Sequence, residues 1–174
     1  FPSRLEANTD RLLEALDRHN LKATWFCLGW VADRFPHVIR RIAAHHEIAA
    51  HTYHHGLAYR QDRSTFFEDA VRVRESLQEI TGRRVRLFRS AGFSVTNRTP
   101  WFAEALLEAG YQADSSVFPA PRNHGGFPEF PSRLPCILRT SEGDLLEFPV
   151  STHSWMFFRQ LPLGGGYFRL LPTD

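Results

Sequence analysis

The chain has 174 residues, 43% of them hydrophobic and 13% aromatic, with 23% charged. That suits a single domain with a sizeable core and argues against global disorder. A net charge of +2, with both signs scattered, gives no footing for nucleic-acid binding, and no apolar run reaches the 18 residues of a membrane span.

In chain order, Ser3 with Glu6 forms a capping-box pattern, and Leu5, Thr9, Leu12, Leu13 and Leu16 follow at helical spacing until His19-Asn20 stops them. KATWFCLG reads as a buried strand. Pro36 suits the first turn of a second helix, with Phe35, Val38, Ile39, Ile42 and Ala43 on its inner face. EIAAHT is the next strand. Thr65 and Glu68 box a third helix whose inward residues are Phe67, Ala70, Val71, Leu77 and Ile80, closed by Gly82. VRLFR is a strand, Thr99-Pro100 opens a fourth helix that Gly110 ends, and YQAD is a strand. From Phe118 to Pro135, five prolines and two glycines predict a long ordered loop. CILRT and LLEFPVS flank the turn SEGD as a hairpin or as two consecutive strands, and LGGGYF is a flexible turn. Cys27 and Cys136 each sit in an apolar run and are expected to be buried thiols, too far apart in pattern for a disulfide framework or a cysteine metal site. The chain opens on Phe1, without a secretory signal, and passes almost at once into a helix. It is expected to be part of a longer protein, of unknown compartment.

This alternation predicts a parallel sheet or barrel with helices outside, and in such folds the chemistry sits at the carboxyl ends of the strands. His51, His55, Arg89, Asp114 and His153 fall at such ends. Five of the nine histidines crowd into HHEIAAHTYHH, from His45 to His55. A zincin helix is excluded by spacing, because His46-Glu47 is followed by a histidine five residues on rather than four. His51 and His55 are four apart and can converge on one ion from a strand end and the turn after it. His54 is a rival ligand, but adjacent residues at a strand end point opposite ways. Imidazole suits zinc, cobalt, iron or nickel, and a catalytic zinc site needs a third protein ligand, most simply a carboxylate. His19, His37, His45 and His124 read as surface residues.

HTYHH resembles the H-[ST]-x-x-H motif of the polysaccharide deacetylases, the carbohydrate esterase family 4 or NodB-homology domain. Its flanks, from LKATWFCLGW through RRIAAHHEIAA, are similar to that family's second conserved block, and FRSAGFSVT resembles its third. YQADSSVFP, LLEFPVST and LGGGYFRLLP resemble the branch associated with exosortase-type exopolysaccharide clusters. The likeness covers essentially all of the chain, as one partial deacetylase domain. It implies a distorted (β/α) barrel of the glycoside hydrolase/deacetylase type, incomplete at both ends. It also implies metal-assisted hydrolysis of N-acetyl groups on an N-acetylglucosamine-type polysaccharide, in exopolysaccharide biosynthesis.

By match to the motifs, the resemblance makes His51 and His55 ligands of a divalent metal, most often zinc, with cobalt or iron also accepted. Arg89 matches the arginine that orients the general base, and Gly92 falls where a backbone N–H faces the oxyanion, with Phe93 beside it. Asp114 is placed with the substrate-side residues, as a partner of Arg89 or a plain turn residue. Three departures accompany the match. The family's aspartate pair and its Leu-x-His general acid are not found, and Ala91 stands where the family has proline. His153 lacks the context of that general acid. Residues 1–174 alone are therefore expected to be a poor catalyst. Two other classes remain. One is a glycan-binding relic that stacks sugars on Tyr53, Tyr59, Phe93, Trp155 or Tyr167. The other is an unrelated metal hydrolase, which would show more carboxylates than are found between Glu47 and Asp62.

Overall fold

Strands and helices alternate along most of the chain in the computed structural model, which describes residues 4–122, 125–155 and 158–162, with side chains as far as Thr152. The elements in order are α1 (Leu5–Arg18), β1 (Thr24–Cys27), α2 (Gly29–Arg34), α3 (Pro36–His45), β2 (Glu47–Ala50), α4 (Arg63–Thr81), β3 (Leu87–Phe88), α5 (Phe102–Glu108), β4 (Ala113–Asp114), β5 (Cys136–Thr140), β6 (Gly143–Glu147), β7 (Thr152–Trp155) and β8 (Phe158–Pro162). Six strands form one sheet in the order β1-β2-β3-β4-β6-β5. The first five in that order run parallel, and β5 returns antiparallel along β6 at the edge. Among the described residues the sheet does not close on itself. It is the α/β architecture expected, with the ends of β1 to β4 and β6 aligned on one side.

The core explains the alternation. Ala50 and Phe88 on the strands are wholly buried beneath Phe66, Ala70, Val73 and Leu77 of α4 and Ala105 and Leu106 of α5. Phe66 meets Phe88, Trp101 and Phe102 ring to ring, at centroid distances of 5.6, 5.4 and 5.0 Å. Pro36 opens α3 as predicted, and its Val38, Ile39, Ile42 and Ala43 face inward.

Several local expectations change. The third predicted helix begins earlier, because the Asp62 side chain accepts the N–H of Thr65 at 2.8 Å and caps α4 ahead of the Thr65–Glu68 box. The buried stripe is then Phe66, Ala70, Val73 and Leu77, at spacings of four, three and four. Phe67, Val71 and Ile80 pack half-buried beside it. Gly82 closes α4 in the left-handed region, at φ 66°. Arg4 occupies the cap of α1 with no side-chain bond, and Ser3 lies outside the described residues. KATWFCLG is strand only over Thr24–Cys27, and Gly29 starts the unpredicted α2. CILRT and the following run resolve as a hairpin, and a second hairpin, β7–β8, was not foreseen. Cys27 is buried as expected, and burial pushes its thiol up to about 12. Cys136, on the edge strand, is only half-buried. LGGGYF lies outside the described residues, as does His124. No described helix is long and apolar enough to cross a membrane.

Candidate active site

β2 ends at Ala50, and His51 still donates its N–H to Cys27 O at 2.9 Å, so its side chain is fixed at the sheet's carboxyl edge. The chain then turns sharply through HTYHH. Thr52 (φ 60°) and His55 (φ 62°) both adopt left-handed backbone, which is costly for a β-branched threonine and marks a strained, over-determined turn. The supports are specific. Gly29 and Trp30 donate N–H groups to Thr52 O and Tyr53 O at 3.1 and 3.2 Å. Asp69, on α4, accepts the Tyr53 N–H at 2.9 Å. The Tyr53 hydroxyl donates to Asp33 at 2.5 Å, and the Arg72 guanidinium lies 3.5 Å above its ring. Tyr53 is therefore a buried anchor, not a sugar platform.

Gly29 is part of this anchorage. A Cβ there would lie 2.3 Å from Tyr53 Cδ2. Gly29→Ala should cost roughly 1–3 kcal/mol, the range for overpacking a filled site. Chemical denaturation reads this directly, and an unchanged midpoint would show that the ring yields freely.

His51 and His55 come together. Their ring centroids are 5.1 Å apart at an interplanar angle of 72°. Two imidazoles on one tetrahedral zinc, with Zn–N near 2.0 Å, would have centres about 5 Å apart. His51 Nδ1 lies 2.7 Å from the Arg89 carbonyl, which fixes it as the protonated nitrogen and leaves Nε2 for a ligand. Burial holds the His51 pKa below its ordinary value, favouring the neutral, metal-binding form. His54 is exposed, with its ring edge on Tyr53 at 4.6 Å. Among the described residues no cluster of three or more His, Cys, Asp or Glu is placed to hold an ion. The donor set thus fits a divalent metal in two positions and leaves the third ligand unassigned.

Arg89 follows β3. It donates through Nε to Ser115 O at 2.9 Å and through Nη2 to Ser115 Oγ at 2.6 Å. Its guanidinium lies over the rings of Phe26 (4.1 Å) and Phe93 (5.6 Å). Burial lowers its pKa while Asp114 and Glu147 raise it, and a guanidinium stays charged throughout. The next turn spans Ala91–Phe93, with Gly92 (φ 62°) and Phe93 (φ 52°) both left-handed. Arg122 Nη1 donates to Gly92 O at 3.0 Å, and Gly126 donates its N–H to Phe93 O at 3.1 Å.

Asp114 is in another setting than expected. It is fully buried and accepts bonds from the Ser116 N–H (3.0 Å) and hydroxyl (2.6 Å), with no ion pair to Arg89. Its register partner on β6 is Glu147, also fully buried, whose Oε1 accepts the Val117 N–H at 3.1 Å. Burial first, and the neighbouring Asp114 second, push the Glu147 carboxyl up from 4.5 to about 11, so it is protonated at neutral pH. The folded value exceeds the unfolded one. This stabilisation is therefore complete below about 4.5 and is lost as pH rises through the interval towards 11. Glu147→Gln mimics the protonated acid. It should flatten the decline in stability with rising pH, by at least about 1 kcal/mol between mildly acidic and mildly alkaline buffer, the equivalent of about one pKa unit. Parallel pH–stability curves for the two proteins would sink that assignment.

Asp69, Glu147 and the serines around Arg89 were missed in the sequence. Only Glu147 carried a signal there, as a lone acid inside the apolar run LLEFPV. His153 lies in β7, away from the six-stranded sheet's own pairing. Tyr167 and the side chain of Trp155 lie outside what is described.

A parallel α/β sheet with paired histidines and an arginine at its carboxyl edge is among the architectures that carry chemistry on strand ends. The chain is a member of the polysaccharide deacetylase family, whose model matches residues 2–113, and residues 115–174 match a domain of unknown function, DUF3473. It is 32% identical over 98 residues to a peptidoglycan-N-acetylglucosamine deacetylase of Bacillus cereus, covering 55% of this chain and 36% of the relative. A Mycobacterium smegmatis crystal structure assigned as a polysaccharide deacetylase superposes with a TM-score of 0.68 at 33% identity, over 82% of this chain and 45% of the other. The PuuE allantoinase structure superposes at 0.63 and 25%, over 81% and 42%. The chain thus spans less than half the length of each of these relatives.

Proposed function

We propose that the protein is a metal-dependent deacetylase that hydrolyses N-acetyl groups of an N-acetylglucosamine-type polysaccharide, in exopolysaccharide biosynthesis. The observation that carries this reading is the His51–His55 pair, at the spacing two imidazoles take on one ion, with His51 Nδ1 already committed to Arg89 O. The name of the Bacillus cereus relative supports the N-acetylglucosamine unit. The exopolysaccharide assignment rests on the YQADSSVFP and LLEFPVST blocks.

His51 and His55 would hold the divalent ion, most simply zinc, which when bound lowers the pKa of a water and polarises the acetyl carbonyl. Arg89, clamped by Ser115 and stacked on Phe26, presents a fixed positive charge beside the histidines, suited to orienting a carboxylate base. The backbone N–H groups of the Ala91–Phe93 turn would serve the developing oxyanion. A cleft of about 450 Å³, with Tyr59, Asn97, Arg98, Arg122 and Glu129 in its wall, adjoins that turn through Arg122 and is polar enough for a sugar chain. Among the described residues no third His, Cys, Asp or Glu joins the pair to hold an ion.

The test is the full-length protein, analysed for bound divalent metal and assayed for acetate release from N-acetylglucosamine oligomers. About one metal per chain with acetate release supports the reading. Metal-independent release, or none from any N-acetylated glycan, overturns it.

A further inference from the structure

Three loops meet behind the candidate site, and side-chain hydroxyls join them. Asp114, at the end of β4, accepts the Ser116 hydroxyl at 2.6 Å. Ser116 Oγ in turn accepts the N–H of Ser90, at the end of β3, at 2.7 Å. The Ser90 and Ser94 hydroxyls lie 2.7 Å apart and bridge the two ends of the Ala91–Phe93 turn. Ser94 Oγ accepts the N–H of Ala58, three residues past His55, at 2.8 Å. Ser90, Ser94, Ser116, Ala58 and Asp114 are all wholly buried. Water therefore cannot replace a missing link cheaply, and each bond carries the full weight of its partner's desolvation.

We propose that Ser116, Ser90 and Ser94 form a hydroxyl relay, anchored on Asp114, that positions the Ala91–Phe93 turn and the segment following His55 relative to one another. The relay has a clear task. Gly92 and Phe93 hold consecutive left-handed conformations, which a free loop would leave. Position 91 carries alanine and so lacks the fixed φ that proline would supply. Ser90 Oγ to Ser94 Oγ closes the turn from beneath, while Arg122 and Gly126 hold its carbonyls from outside. Ser94 then ties the same turn to the histidine loop, so the two faces of the reaction site move as one body. The serines are positioning residues, and their catalytic consequence rests on the deacetylase reading above.

The experiment is a mutant cycle on the full-length protein, read by amide hydrogen exchange and by steady-state kinetics. Ser116→Ala removes the acceptor of Ser90 N–H directly. If the hydroxyls act as a relay, the Ala58 N–H, two links further on, should also exchange about fivefold to tenfold faster, the equivalent of about one lost hydrogen bond. That remote effect should vanish when Ser116→Ala is made in a Ser90→Ala background, which cuts the relay in the middle. In turnover, Ser116→Ala and Ser94→Ala should lower kcat roughly 10- to 100-fold with KM and bound metal unchanged, as for a misplacement of about 1 Å, and Ser94→Thr should restore most of it.

Faster exchange at Ser90 with Ala58 unmoved would overturn the relay, as would metal and kcat falling together. Should Ser116→Ala fail to fold, Ser90→Ala alone must accelerate Ala58, because Ser94 Oγ loses the partner that fixes it. A wild type that releases no acetate would defeat the functional reading but leave the exchange cycle to decide the relay.

Discussion

Replacing His51 and His55 together by alanine in the full-length protein should strip the divalent metal and abolish acetate release. Each ring supplies a direct ligand in this reading, so each loss should exceed the roughly 10- to 100-fold in affinity typical of an outer-shell partner. His54→Ala should leave both properties nearly intact, because that ring is exposed and turned against Tyr53. Elemental analysis decides the matter. Equal metal in the wild type and the double variant would mean that the ion, if there is one, sits elsewhere.

Arg89→Lys should lower kcat by about 10²-fold while metal content stays near that of the wild type. Lysine keeps the charge but cannot make the paired bonds to Ser115 O and Oγ, nor lie flat on Phe26. The expected size follows from general acid–base catalysis, which contributes about 10² to 10⁴ and depends on the base being held in reach. The carbonyl of Arg89, which fixes the His51 tautomer, belongs to the main chain and survives the substitution. Loss of metal together with activity would give Arg89 a structural role instead.

The fold was legible because its periods are strong. Helical stripes such as Val38-Ile39-Ile42 and short apolar runs such as TWFC are local signals, and they landed on the right elements. The metal-site candidates were legible for the same reason, as both histidines lie within five residues of each other. What was hidden depends on distant partners. Asp114 read as a partner of Arg89 or a plain turn residue, because nothing local reveals that Glu147, thirty-three positions on, will lie beside it in register. Gly29 read as the end of a strand, since only the Tyr53 ring packed against it requires a missing Cβ. The cap of α4 was misplaced by a single choice between Asp62 and Thr65, and the predicted inner face kept Ala70 and Leu77 but took Phe67 and Val71 where Phe66 and Val73 are buried.

The boundary between the two family matches falls inside β4, the strand that carries Asp114. The backbone ladder nevertheless runs unbroken across it, from β3 through β4 to β6. A recombination event at that junction would pass on half of a carboxyl pair and an unzipped sheet edge. The two segments are therefore expected to be inherited together, and chimaeras joined at residue 114 should be soluble only when position 147 of the incoming half is acidic or carries its amide.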